Sequence, residues 1–164
     1  MKKKVAIYPG SFDPFTNGHI NIIERGVRVF DKVIVAVAHN ASKRTTFTVE
    51  ERVEIIREVF RKRPEVDVDY FQGLLVEYAR RGTNIVLRGM RTVSDFEYEL
   101  QMALSNKTLY PEIETIFMVT EGAYSHISSS LIKEIITLGG SAKEMVPEIV
   151  EKKLREKLLR KQEV

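Results

Sequence analysis

Short apolar runs alternate with segments of helical spacing along the whole chain, and this alternation limits the possible folds more than any other feature. Five β-rich runs can be recognised, at 5–8 (VAIY), 32–38 (KVIVAVA), 66–71 (VDVDYF), 84–88 (NIVLR) and 115–119 (TIFMV). The second run is apolar from Val33 to Ala38. An uninterrupted apolar run is typical of a strand that is buried on both faces of a parallel sheet.

The intervening segments carry the start and stop signals of helices. Thr48 and Glu51 form a capping box before one of them, and Gly139 with Gly140 closes another. The resulting order, β-α-β-α-β-α-β-α-β-α-α, predicts an α/β fold: a Rossmann-like, doubly wound five-stranded parallel sheet with helices on both faces. We expect a single domain over residues 1–164, with a C-terminal helix at about 147–161.

Composition narrows the class of protein. The 164 residues are 43% hydrophobic and 30% charged, as in an ordinary globular domain. The absence of cysteine excludes disulfides and thiolate metal sites, and it favours a cytoplasmic protein. The apolar stretch after the opening MKKK is too short for a signal peptide, and no window is long enough for a membrane span. The formal charge of +3 suits a phosphorylated ligand and does not require nucleic acid.

Polar and cationic residues follow four of the five predicted strands. The segments are 10–19 (GSFDPFTNGH), 39–46 (HNASKRTT), 88–91 (RGMR) and 121–130 (EGAYSHISSS). In an open parallel sheet, ligands bind beyond the carboxyl ends of the strands. These segments supply hydroxyls, guanidinium groups and backbone amides, which are the groups that bind phosphate. The sequence therefore predicts a phosphate site at this edge of the sheet.

The first of these segments is neither of the two familiar phosphate loops. The chain contains no G-x-x-x-x-G-K-[ST], and no G-x-G-x-x-G follows the first strand. The segment ends instead in TNGH, where Thr16 as N-cap would place His19 at the third helical position. The positive end of the helix favours an anionic ligand and a neutral imidazole that donates through one nitrogen.

The segment GSFDPFTNGH resembles the T/H-x-G-H signature of the nucleotidyltransferase superfamily. Together with RGMR, FEYE (96–99) and YSHISSS (124–130), it makes the chain closely similar to the bacterial phosphopantetheine adenylyltransferases over almost its whole length. The resemblance implies transfer of the adenylyl group of ATP to 4′-phosphopantetheine in coenzyme A biosynthesis, giving dephospho-coenzyme A and pyrophosphate by direct in-line attack without a covalent intermediate. It also implies Mg²⁺ bound with ATP, a homohexamer, and coenzyme A as a candidate feedback inhibitor.

The resemblance assigns catalytic and acceptor-binding roles. His19 matches the motif histidine that hydrogen-bonds the α-phosphate, while Lys43 and Arg88 match two cations for the acceptor phosphate and the transition state. Ser11 stands where family members commonly have threonine, and its hydroxyl can still reach the acceptor phosphate or the α-phosphate. Leu75 matches a position that contacts pantetheine. The implied acceptor site is thus Ser11, Lys43, Leu75 and Arg88.

The resemblance also implies a set of contacts with ATP. Besides Ser11 and His19, the matching positions are Phe12, Gly89, Met90, Arg91, Glu99, Tyr124, Ser125, His126, Ile127, Ser128, Ser129 and Ser130. His126 occupies a position that is usually aromatic in the family. No metal-ligating residues are assigned, because Mg²⁺ is expected to be held largely by the phosphates and water.

Several alternatives remain open on the sequence. A nucleotidyltransferase for nicotinate mononucleotide or glycerol phosphate is the nearest, and the segments RGMR and YSHISSS favour pantetheine over it. A silent module that binds adenine nucleotide or coenzyme A is disfavoured by the complete set of Ser11, His19, Lys43 and Arg88. A nucleic-acid partner is disfavoured because the basic residues do not form a stripe with interleaved aromatics. The structural alternative for Glu99 is a solvated helix carboxylate.

Overall fold

The computed structural model describes residues 3–40 and 44–159. These ranges contain a five-stranded sheet of β1 (Val5–Gly10), β2 (Lys32–His39), β3 (Val66–Gln72), β4 (Ile85–Met90) and β5 (Glu114–Val119). All neighbouring strands pair in parallel, in the order β3-β2-β1-β4-β5. Strands β2 and β3 are added on one side of β1, and strands β4 and β5 on its other side. The predicted doubly wound parallel sheet is confirmed.

The connections are helical, as the spacing predicts. The helices of the described ranges are α1 (Asn17–Gly26), α2 (Val49–Val59), α3 (Leu75–Ala79), α4 (Val93–Leu109), α5 (Ser129–Thr137) and α6 (Glu148–Leu158), with a 3-10 turn at Gly122–Tyr124. Thr48 caps α2 in a capping box with Glu51, as the sequence indicates. The C-terminal helix expected at about 147–161 is α6, and residues 160–164 lie outside the described ranges. Within those ranges, no helix combines the length and the apolar composition that crossing a bilayer demands.

One face of the sheet carries a continuous core, and we call it the closed face. Side chains alternate between the two sides of a strand, so Ala6 and Tyr8 of β1 lie on the same side as Leu87 of β4. These residues pack with α1, α2, α5 and α6 in one buried cluster. Its fully buried helical residues include Ile22, Ile23, Ile56, Ile132, Ile136, Val150 and Leu154.

The opposite face, which we call the open face, is covered by α3 and α4 and has a much smaller core. Ile7, Ala36 and Val86 of the sheet pack there with Val76 and Ala79 of α3. Helix α4 has 17 residues, and none of them is buried. Its exposed apolar side chains are Val93, Phe96, Tyr98, Leu100, Met102, Leu104 and Leu109. These apolar side chains of α4 are therefore not part of the core of this chain.

Candidate active site

A cavity of about 340 Å³ lies at the carboxyl ends of β1 and β4, where the strand order reverses. It is lined by the end of β1 with the turn that follows it (residues 10–14, the β1 turn), the first turn of α1, the end of β4, the start of α4 and the start of α5. The predicted site residues in its lining are Ser11, Phe12, His19, Arg88, Gly89, Arg91, Glu99, Ile127, Ser128, Ser129 and Ser130. The structure thus brings together residues that are far apart in the sequence.

The other predicted residues are not in this lining, although Tyr124 lies beside Gly18 at its edge. Met90, Tyr124, Ser125 and His126 are not part of this lining. Lys43 lies outside the described residues, so its predicted contact with the acceptor stays a prediction.

The position of His19 is fixed by the cap of α1. The hydroxyl of Thr16 accepts the His19 backbone N–H at 3.3 Å, and the Thr16 backbone N–H donates to Nδ1 of the imidazole at 3.0 Å. This is a capping box in which histidine takes the place of the usual glutamate. A backbone N–H can only donate, so Nδ1 is unprotonated and the proton of the neutral ring sits on Nε2. The predicted cap and helical position are confirmed, and Nε2–H remains as the donor for a ligand.

The imidazole is neutral over the physiological range. Burial against Phe12 and Phe15, and then the nearby Arg91 and Arg88 guanidinium groups, lower the pKa of His19 to about 3. Both effects disfavour a second proton on the ring. His19 is therefore suited to donating a hydrogen bond to an anion, and not to carrying a proton on and off the ligand.

Arg88 is held by two partners. Its Nε donates to one carboxylate oxygen of Glu99 at 2.6 Å, and Nη2 donates to the other in a bidentate pair. Its Nη1 donates to the carbonyl of Pro9 at 2.6 Å. Burial opposes the charge of the guanidinium, but the paired carboxylate outweighs it and raises the pKa of Arg88. Glu99 is thus not a solvated helix carboxylate; its side chain is 12% exposed and orients Arg88.

Arg91 and the serines connect the remaining walls of the cavity. Arg91 pairs with Asp95 at 3.0 Å and donates to the Ile127 carbonyl at 2.6 Å, which links the end of β4 to the segment before α5. Ser128 caps α5, and the Ser129 hydroxyl donates to the carbonyl of Pro14 at 2.9 Å. The unpaired backbone N–H groups at the start of α5 are a favourable place for an anion.

A second, smaller cavity of about 170 Å³ adjoins the first. The two share Pro9, Gly10, Arg88 and Glu99 in their linings. The rest of the smaller cavity is mainly apolar, with Ala38, Phe71, Leu75, Val86, Tyr98, Met102, Ala103, Asn106 and Thr115. Leu75 therefore lies beside the Arg88–Glu99 pair and away from His19. The pair stands between a polar compartment and a largely apolar one.

Comparison with known proteins agrees with this geometry. The cytidylyltransferase-like family model matches residues 7–135. The chain is 56% identical to the phosphopantetheine adenylyltransferase of Caldanaerobacter subterraneus subsp. tengcongensis. The alignment of 155 residues covers 94% of this chain and 97% of that protein. The enzymes of the same name from Desulforudis audaxviator and Syntrophus aciditrophicus are 54% and 53% identical, covering 94% of this chain and 95% and 94% of their own lengths. The chain belongs to the phosphopantetheine adenylyltransferase family. It is a nucleotidyltransferase.

Two residues that sequence reasoning did not assign to the site, Asp13 and Arg52, hold the backbone of the segment GSFDPFTNGH in place. The carboxylate of Asp13 accepts the backbone N–H groups of Thr46 and Phe47, both at 2.9 Å. Arg52 is 2% exposed and donates to the carbonyl of Ser11. A signal for Arg52 was present, because position 52 falls on the buried stripe of α2, four residues before Ile56.

The described residues contain no group of three or more histidines, cysteines or acids that could hold a metal ion. Two carboxylates line the larger cavity, and each is already paired: Asp95 with Arg91, and Glu99 with Arg88. The donor set described does not form a resident cation site.

Proposed function

We propose that this chain transfers the adenylyl group of ATP to 4′-phosphopantetheine, giving dephospho-coenzyme A and pyrophosphate. The observation that carries this proposal is the shared Arg88–Glu99 pair between the two cavities. A phosphate bound at Arg88 can face His19 in the polar compartment, while an arm attached to that phosphate extends along Leu75. A nucleotide and a phosphorylated acceptor with a long, weakly polar arm fit this arrangement, and the relatives are named for that acceptor.

On the nucleotide side, His19 and the N-terminal ends of α1 and α5 stabilise the negative charge of the phosphates. The Nε2–H of the neutral ring donates to the α-phosphate, where negative charge grows in the transition state. The N-terminal ends of α1 and α5 favour the remaining phosphates of Mg-ATP. Phe12, Gly89, Arg91 and the serine segment are proposed to contact ATP. His19 neither gives nor takes a proton in this scheme.

On the acceptor side, Arg88 and the Ser11 hydroxyl are proposed to hold the phosphate of 4′-phosphopantetheine. An oxygen of that phosphate attacks the α-phosphorus in line, the new P–O bond forms, and the bond to the bridging oxygen breaks to release pyrophosphate with Mg²⁺. Positioning the two anions replaces a covalent intermediate, so no protein nucleophile takes part. Lys43 is proposed to join Arg88 as a second cation.

The decisive experiment supplies Mg-ATP with alternative acceptors. With 4′-phosphopantetheine we expect release of pyrophosphate and formation of dephospho-coenzyme A, detected by mass spectrometry. Parallel reactions with nicotinate mononucleotide and glycerol phosphate serve as controls. Release with either control and none with 4′-phosphopantetheine would overturn the assignment. Binding of ATP without turnover of any acceptor would favour the silent nucleotide-binding module.

We also propose that the chain forms a homohexamer through its open face and acts in the cytoplasm. The support for assembly is α4, which buries none of its residues and leaves Val93 78% and Leu104 61% exposed. Leu104→Glu should lower the sedimentation coefficient while the far-ultraviolet circular dichroism stays unchanged. Glu97→Gln, a change on the same helix without apolar surface, should sediment like the wild type. An unchanged coefficient for Leu104→Glu would place assembly on another surface.

Coenzyme A is proposed as an inhibitor because it carries the same pantetheine arm as the acceptor. If both molecules use the smaller cavity, inhibition by coenzyme A should be relieved by raising the concentration of 4′-phosphopantetheine. Inhibition that is insensitive to this acceptor would show that coenzyme A binds elsewhere.

A further inference from the structure

Arg52 lies on the buried side of α2, directly behind the β1 turn. Its side chain is 2% exposed, yet within the described ranges it forms no ion pair with a carboxylate. Arginine is seldom fully buried unless a partner compensates its charge, because removing the charge from water is costly. The carboxylates of Asp13 and Glu50 lie close enough to stabilise its charge without pairing with it. Its hydrogen bonds all go to backbone carbonyls within the described ranges, and the identity of these carbonyls indicates the role of the residue.

Three carbonyls from three different elements accept hydrogen bonds from this one guanidinium. Nη1 donates to Ser11 at the end of β1, at 2.5 Å, and to Ala38 in β2, at 3.2 Å. Nε donates to Thr48, the N-cap residue of α2, at 3.2 Å. Arg52 therefore ties the carboxyl ends of two neighbouring strands to the start of a helix, at the edge of the sheet where the larger cavity opens.

The turn that Arg52 holds has a backbone conformation that needs support. Phe12 has φ of 50°, in the left-handed region that a bulky side chain seldom adopts. Such a conformation persists only where its surroundings impose it. The residue before Phe12 is fixed by Arg52 through the Ser11 carbonyl, and the residue after it is fixed by the bonds from Thr46 and Phe47 to Asp13.

We propose that Arg52 is a positioning residue for adenylyl transfer: it holds the Ser11 peptide so that the Ser11 hydroxyl points at the acceptor phosphate. This inference rests on the proposed function. Arg52 itself is not part of the cavity lining, so it acts through Ser11 and does not touch the substrate. A lysine could supply charge at this position, but not the planar fork that reaches separate carbonyls.

Steady-state kinetics test this role by comparing the effect of a variant on kcat/KM for 4′-phosphopantetheine with its effect on the KM for ATP. Arg52→Met should lower kcat/KM for 4′-phosphopantetheine on the order of 10²-fold, because a displacement of about 1 Å in a positioning group has effects of this size. The KM for ATP should change less than this, because only Ser11 and Phe12 among the proposed ATP contacts lie in the turn that Arg52 holds. Arg52→Lys should recover activity only in part, to about tenfold below the wild type.

The matched control is Val53→Ala, which removes buried volume from the neighbouring position of α2 but no hydrogen bond to the β1 turn; Val53 is 5% exposed. It should lower the melting temperature while kcat/KM stays within about threefold of the wild type. If Arg52→Met lowers the melting temperature but leaves kcat/KM for the acceptor at the level of this control, Arg52 is merely structural and the proposal is wrong. Should Arg52→Met fail to fold, Arg52→Lys takes its place in the same comparison.

Amide hydrogen exchange separates failure of this proposal from failure of the proposed function. In Arg52→Met, and in Arg52→Lys to a lesser degree, the backbone amides of residues 10–13 should exchange at least about tenfold faster than in Val53→Ala. That result would show that Arg52 holds the β1 turn, even if the wild type released no pyrophosphate with 4′-phosphopantetheine. Equal exchange rates for residues 10–13 in the Arg52 variants and the control would show that Arg52 does not hold this turn. That outcome would overturn the proposal whichever acceptor the enzyme uses.

Discussion

The two faces of the sheet are completed in different ways. On the closed face, four helices bury residues such as Ile132 and Leu154 at 0% exposure. On the open face, the five-residue α3 leaves most of the cover to α4, which has no buried residue. The closed face therefore supplies the stability of the single chain, whereas the open face presents apolar surface suited to a partner. The site draws on both, with His19 from the closed face and Glu99 from the open one.

The largest expected effect concerns the core of the closed face. Ile132→Ala removes a fully buried side chain of α5 and should cost about 2–5 kcal/mol of unfolding free energy, measured by urea denaturation. Leu138→Ala at the end of the same helix, where Leu138 is 79% exposed, should change stability by less than about 0.5 kcal/mol. Equal costs for the two variants would mean that the closed face is not the main source of stability.

His19 tests the half of the site that belongs to the closed face. His19→Ala should lower kcat on the order of 10²-fold, because it removes a donor to the α-phosphate, while ATP binding measured by calorimetry stays largely intact. His19→Gln is the control for helix structure, since glutamine can complete the capping box with Thr16. Full turnover by either variant would remove the imidazole from the mechanism. Loss of ATP binding in His19→Ala alone would indicate a role in holding α1.

Glu99 tests the half of the site that belongs to the open face. Glu99→Gln keeps the size of the side chain but removes the charge opposite Arg88, so the guanidinium is held less firmly. We expect kcat/KM for 4′-phosphopantetheine to fall about tenfold, with a smaller change in the KM for ATP. Glu97→Gln, on the exposed side of α4, should leave both unchanged. A larger effect on ATP would instead support the direct nucleotide contact implied by the family resemblance.

Features encoded by neighbouring residues could be predicted, and so could the edge of the sheet where the cavity lies, but the individual long-range pairs could not. Thr16 and His19 are three residues apart, so their mutual bonds follow from the geometry of one helical turn. Arg88 and Glu99 belong to a strand and a helix, and Arg52 reaches Ser11 across 41 positions of sequence. Such pairs become neighbours only after the sheet has formed. Likewise, the spacing of Phe96, Leu100 and Leu104 predicts that they share one face of α4, but it does not show whether the same chain covers that face.

The smallest expected effect is on the pH dependence of stability, and it again concerns His19. Its pKa is about 3 in the folded chain, against 6.5 when unperturbed, so the unfolded chain binds the proton more readily. Well above pH 6.5 the ring is neutral in both states, and its protonation does not affect the free energy of unfolding. As the pH falls from 6.5 towards 3, protonation of the unfolded chain destabilises the fold progressively. His19→Gln should therefore lose about 1 kcal/mol less stability than the wild type between pH 7 and 5.5.

Urea denaturation of the two proteins at both pH values measures this difference directly, because they differ at position 19 alone. The comparison also tests the tautomer assigned to the ring. An imidazole that keeps Nδ1 as an acceptor for the Thr16 amide cannot take a second proton without breaking that bond. Parallel pH profiles for wild type and His19→Gln would show that His19 protonates as easily in the folded chain as in the unfolded one, and the neutral donor at the α-phosphate would have to be abandoned.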